Sequence, residues 1–188
     1  MSTGLLLVAY LGAWNAGRLH RALPAGDRSP GQRIAAVLLG AGLALASVTA
    51  LASLASDLLD LLDLSAPTAR LSAGAVAALT GARDLCTGPP SPDPALPGWR
   101  AGIVPVWFPL LLSPSAGLLA LGGGADHDAL IVFVAAGLGV LPLVASVAWR
   151  ADRLAPVWAR VELGVHRLLA AALVAAGLAL TVDGVFDL

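Results

Sequence analysis

The chain contains no lysine; its 11 basic residues are all arginine. That absence removes whole reaction classes. A Walker-type phosphate loop places a lysine on the nucleotide, and Schiff-base chemistry needs a lysine amine, so this chain performs neither alone. Energy for any work must come from an ion gradient, a solute gradient or a partner ATPase. Cysteine is nearly absent as well: Cys86 stands alone, which excludes an intrachain disulfide and leaves a small buried residue as its plainest reading. Charged residues make up 12% of the chain, whereas a soluble domain carries about 25%. A net charge of −1 gives no pull toward nucleic acid. Neither Gly-x-Ser-x-Gly nor His-Glu-x-x-His occurs, and no nucleophile or acid–base set stands out, so the chain reads as a non-enzyme without a cofactor.

What remains is apolar. Hydrophobic residues form 58% of the chain, with a mean hydropathy of +0.85. The lipid bilayer is therefore the expected environment. A membrane span needs ~20 mostly apolar residues, and six stretches qualify: 4–22, 34–56, 65–83, 101–123, 129–149 and 165–184. The apolar run Leu5–Trp14 follows Met1-Ser-Thr-Gly4 without a positive flank, and reads as a retained first helix rather than a cleaved leader. Arginine placement orients the spans. Arg18, Arg21, Arg28, Arg33, Arg83 and Arg100, with Arg150, Arg153, Arg160 and Arg167, all fall in odd-numbered loops. By the positive-inside rule those loops are cytoplasmic and both termini face outside, giving a multi-pass protein of a cell membrane.

Turn-rich loops agree with this division. Residues 24–30 form one; the proline-dense stretch 88–98 divides three spans from three spans. The expected fold class is an all-α membrane protein, a single domain over 1–188. It comprises repeat one at about 1–87, a linker at 88–98 and repeat two at about 99–188. Three spans per half invert the second half relative to the first, an arrangement common in transporters. Short likenesses support it: Asn15-Ala-Gly-Arg-Leu19 with Ser115-Ala-Gly-Leu-Leu119, and Arg70-Leu71 running to Gly81 with Arg167-Leu168 running to Gly177.

The first and fourth spans carry polar interruptions, Asn15-Ala16-Gly17 in one and Ser113-Pro114-Ser115 in the other. The fourth also holds Pro105 and Pro109; each proline removes a backbone donor and breaks a regular helix. Paired discontinuous helices expose backbone N–H and C=O groups inside the bilayer, a site suited to a small zwitterion. The expected solute-binding residues are Asn15, Ala16, Gly17, Ser113, Pro114 and Ser115, with Arg70 as either a cation snorkelling to the interface or one lining the cavity and pairing with Asp63 or a substrate carboxylate.

Other polar groups have plainer readings. Asp57, Asp60 and Asp63, three apart, share a helical face and form a solvated outer helix end. Asp126-His127-Asp128 is a poor metal set, so no metal is expected. His20 and His166 read as interfacial. Trp14, Trp99, Trp149 and Trp158 read as an aromatic belt at span ends, with Trp107 apart from them between two prolines.

At the fourth span, Ile103-Val-Pro-Val-Trp-Phe-Pro-Leu-Leu-Leu-Ser-Pro-Ser-Ala116 resembles the pattern I-V-P-L-A-x-P-L-x-x-G-P-G-A of the MarC family of bacterial membrane proteins, grouped with the LysE-type transporters. Leu64-Ser-Ala-Pro-Thr-Ala-Arg-Leu-Ser-Ala-Gly74 is similar to that family's third-span L-P-A-x-R-I-A-G-G, and Asn15 to its Asn-Pro-x-Gly. Two departures stand out: no proline follows Asn15, and serines replace the glycines flanking Pro114. The resemblance implies a transporter-like fold and transport of small neutral amino acids such as alanine or glycine. The expected function is thus a secondary transporter or exporter of a small polar solute, coupled to a proton or sodium ion. The alternative is a non-transporting membrane scaffold or partner subunit.

Overall fold

The computed structural model describes residues 1–23, 29–87, 96–150 and 156–187. Among them every element is helical: α1 (Thr3–Ala13), α2 (Ala16–Ala22), α3 (Pro30–Ser53), α4 (Ala55–Leu61), α5 (Ala66–Thr87), an irregular helical stretch from Gly98 to Leu111, α6 (Pro114–Asp126), α7 (Ala129–Arg150) and α8 (Pro156–Phe186). Most of the proline-dense linker, 88–95, and most of the first loop, 24–28, lie outside the described residues.

Local chemistry accounts for the helix boundaries. Ser2 opens α1 by accepting the Leu5 N–H. Ser29 and Gln32 form a reciprocal capping box at α3, with Pro30 in the first turn, where a missing N–H costs nothing. The short α4 ends in a turn at Asp63, φ 53°, where Leu64 N–H bonds Leu59 O and Asp63 N–H bonds Asp60 O. Asp63 has therefore left the helix, and does not share a helical face with Asp57 and Asp60; all three are exposed. Hydroxyls inside the apolar helices are satisfied within their own helix: Ser47, Thr49, Ser72, Thr80 and Thr181 each donate to the carbonyl four residues back.

Among the described residues three helices are long and apolar enough to cross a membrane: Pro30–Ser53, Ala129–Ala148 and Arg160–Phe186. A fourth crossing is available from Gly98–Leu111 joined to Pro114–Asp126 across a 65° bend. The two remaining stretches read as spans take other forms. Residues 4–22 divide into α1 and α2, and α5, although 22 residues long, carries Arg70, Arg83 and Asp84 among small residues.

Packing follows the small residues. α5 lies antiparallel on α8 with backbones in contact. A Cβ on Gly74 would sit 2.5 Å from Thr181 N, and one on Gly81 2.7 Å from Ala170 O; Gly184 faces Pro67 and Leu71 in the same way. α3 packs on α7. α1 packs on α8 and α7, while the Gly98–Leu111 stretch packs on α3, and α6 packs on α5 and α3. The core between them is formed by Leu6, Tyr10, Trp14, Leu119, Leu143 and Leu173, all fully buried or nearly so.

Candidate functional site

Both breaks are built the same way. α1 ends because Trp14 leaves the helical region at φ −96°, ψ 55°, and Asn15 is extended at φ −70°, ψ 120°. The Asn15 side chain then accepts the Gly17 N–H at 3.0 Å and starts α2. In the second break Leu112 adopts φ −85°, ψ 62°, and Ser113 is extended at φ −81°, ψ 161°. Ser113 Oγ accepts the Ala116 N–H at 3.4 Å and starts α6, with Pro114 in the first turn. Backbone geometry therefore matches Asn15 with Ser113, two residues away from the Asn15–Ser115 match that the residue types suggested.

The irregularity of the fourth stretch begins earlier than Ser113. Val104 and Phe108 are extended, at φ −129°, ψ 120° and φ −124°, ψ 131°. Each precedes a proline, a position that disfavours the helical region; both X–Pro peptide bonds are cis. Two of the freed groups find partners in Leu96 N–H to Val104 O at 3.2 Å and Leu112 N–H to Trp107 O at 2.7 Å.

The two breaks touch. Trp14 Nε1 donates to Leu111 O at 2.8 Å, a buried bond between residues 97 apart in sequence. Asn15 Nδ2 donates to His166 O on α8 at 2.9 Å. Asn15 is only 2% exposed and Ser115 only 1%; the hydroxyls of Ser113 and Ser115 lie 3.0 Å apart. Gly17 fits against the imidazole of His166: a Cβ there would fall 2.8 Å from Nδ1. Tyr10 packs on Trp14 with ring centroids 5.1 Å apart, and its buried hydroxyl has no hydrogen-bond partner among the described residues. Pro114 is exposed and Ala16 half-buried.

Several expected placements change. Trp14 is a core residue, not part of an interfacial belt, because its N–H is needed by a carbonyl that the neighbouring break frees. His20 and His166 are buried rather than interfacial. Trp107 leans on α3, its N–H donating to Ser47 Oγ at 3.1 Å, whereas Trp99 is exposed beside Arg100. The side chains of Trp149 and Trp158 lie outside the described residues.

Arg70 does not join the breaks. Its guanidinium meets Asp126 Oδ1 at 2.7 Å, Asp187 at close range and Asp183 at 3.6 Å, not Asp63. The Met1 amine lies 3.1 Å from Asp126 in the same cluster. Asp126 ends α6, so Arg70 sits about 18 Å of helix from Pro114. A second buried ion pair, Arg18 with Asp84 at 2.6 Å, lies one turn beyond Asn15. Asp84 escapes a loop-by-loop reading of charge. Its signal is spacing: Arg70, Gly74, Ala77, Gly81 and Asp84 recur at intervals of four and three and form one buried stripe along α5. No group of three or more His, Cys, Asp or Glu side chains that could hold a metal occurs among the described residues.

No family model, no curated protein and no solved structure matches the chain.

Proposed function

We propose that this protein is a secondary transporter or exporter of a small polar solute, such as a small neutral amino acid, built from six spans in two inverted repeats. The observation that carries the reading is the pair of like breaks, each an extended polar residue capping a new helix, joined by the Trp14–Leu111 bond in the buried interior. The packing supports the repeat. Taken span by span, exchanging the first three spans with the last three turns the contact of the first (α1 and α2) with α8 into that of the fourth (the Gly98–Leu111 stretch and α6) with α5, and the contact of the first with α7 into that of the fourth with α3. The α5–α8 and α3–α7 contacts map onto themselves.

The hydroxyl of Tyr10, whose ring packs on Trp14, has no partner among the described residues and supports a polar ligand, since a buried unsatisfied donor costs about 1–3 kcal/mol that a solute would relieve. Arginine placement supports an outside location for the end that carries Met1, Arg70, Asp126 and Asp187. The fourth-stretch likeness to the MarC pattern points to the same class of function.

A scaffold reading draws on one observation: the Asn15 amide nitrogen and oxygen each already hold a protein partner. Flux separates the two readings. Proteoliposomes should move alanine, glycine or serine, with a rate that responds to a proton or sodium gradient. Absence of flux for all three, together with a stably co-purifying protein, would establish the scaffold instead.

A further inference from the structure

Each broken span is fastened to α5 by an ion pair, buried for Arg18–Asp84 and half-buried for Arg70–Asp126, and the two pairs lie at opposite ends of that helix. At its C-terminal end, Arg18 of α2 holds Asp84 through Nη2 at 2.6 Å and Nε at 2.7 Å, both on Oδ2. Asp84 is 2% exposed. At its N-terminal end, Arg70 holds Asp126 at the close of α6 and reaches across to Asp183 and Asp187 on α8 and just beyond it. Fourteen residues of helix between Arg70 and Asp84 correspond to about 21 Å. The helices so fastened are the two that restart after the breaks, α2 after Asn15 and α6 after Ser113.

Ion pairs of this kind are poor fasteners for stability alone. The desolvation of two buried charges offsets much of their attraction, and a well-packed apolar replacement is often as stable. What a buried pair does supply is a two-state contact. It stays closed while both charges are matched, and it opens only when one is neutralised or finds another partner. With both pairs closed, Ser115 at the joint is shut off from both ends.

We infer that Arg18–Asp84 and Arg70–Asp126 are the two latches of an alternating-access device, α5 being the fixed post from which α2 and α6 are released at opposite ends. This inference rests on the transport reading for its purpose, but its geometry can be tested without any solute. Releasing Asp126 frees the end of α6 and opens the joint toward the side that carries Asp128. Releasing Asp84 frees α2 and opens it toward the other side. One latch holds while the other opens, the condition that alternating access requires.

The test uses the full chain in liposomes with Cys86→Ser as background. Ser115→Cys reports the joint and, in a separate protein, Asp128→Cys marks sidedness. A membrane-impermeant maleimide is added from one side at a time. With both latches intact Ser115→Cys should stay unlabelled. Asp126→Asn should raise labelling on the order of tenfold from the Asp128 side only, and Asp84→Asn by a similar factor from the opposite side only. The exchange Arg18→Asp with Asp84→Arg should restore protection. Should either neutral variant fail to fold, Asp126→Glu and Arg18→Lys keep the charges but alter the reach, and should give smaller, still one-sided increases. Labelling of both variants from the same side, or protection of Ser115→Cys in folded variants of both pairs, overturns the inference. Sided labelling without solute flux leaves the latches standing and removes the transport reading; flux without sided labelling does the reverse.

Discussion

Replacing Gly74 by alanine sets two well-measured effects against each other. On an isolated helix the change is stabilising by about 1 kcal/mol, because glycine is the poorer helix former. Within this bundle the added methyl has no room. It would stand 2.5 Å from Thr181 N and 2.6 Å from Gly177 O, where ordinary contact begins at 3.4 Å. The atoms met are backbone, which cannot rotate aside. α5 and α8 must then part by roughly 1 Å along their contact, a gap that forfeits a quarter to a half of the local dispersion attraction. Overpacking of this kind costs about 1–3 kcal/mol, and backbone obstruction on both helices puts it at the upper end. The net expectation is a loss of about 2 kcal/mol. Gly137→Ala, with nothing within 4 Å of its new Cβ, is the control and should gain about 0.5–1 kcal/mol. Unfolding midpoints in one detergent, followed by circular dichroism, give the comparison. Gly74→Ala melting above the parent, level with Gly137→Ala, would refute the close α5–α8 contact. Adding Gly177→Ala should cost less than the sum of the single changes, because the first methyl already parts the same two backbones.

Asn15→Leu should lower stability by about 2–5 kcal/mol, since it strands both the Gly17 N–H and the His166 carbonyl. Asn15→Ser keeps an oxygen for the cap and should lose clearly less; equal melting points for the two would remove the capping role. Trp14→Phe strands a buried carbonyl and should cost about 1–3 kcal/mol. Trp107→Phe should cost under about 1 kcal/mol, because Ser47 keeps its own bond to Leu43 O. The reverse ranking would show that the two breaks do not depend on the Trp14–Leu111 bond.

The prolines made the fourth stretch legible as irregular, and Val104 and Phe108 leave the helix where the rule for pre-proline residues places them. Asn15 was equally legible as an interruption, being a lone amide in an apolar run. Their partnership was not, because a bond from Trp14 to Leu111 involves an indole that composition assigns to an interface and a carbonyl that every residue possesses. Short likenesses between the halves were misled in register for a related reason. Ala and Gly recur so often that one short likeness aligned Asn15 with Ser115, whereas the polar interruptions had already set Asn15 against Ser113, the residue that shares its cap position. Arg70 was visible as a charge within an apolar run, but its partners Asp126 and Asp187 come from the far half of the chain. Asp84 was hidden among arginines in a supposed loop, although its place at the end of the Arg70–Gly74–Ala77–Gly81 spacing marks it as part of the buried stripe.

α5 also bears on how such a chain is made. It is 22 residues long but is not among the helices apolar enough to cross a membrane unaided. Charged residues such as Arg70 and Asp84 each oppose insertion, by about 2.5–3.5 kcal/mol at the centre of a helix. The surface that shelters its glycine stripe belongs to α8, which leaves the ribosome only after α5, α6 and α7. If α5 crosses the bilayer, it therefore does so late, waiting beside the insertion machinery until α8 arrives to receive it. The order of synthesis and the order of membrane entry then differ, and a nascent chain halted before α8 would leave α5 stranded at the surface.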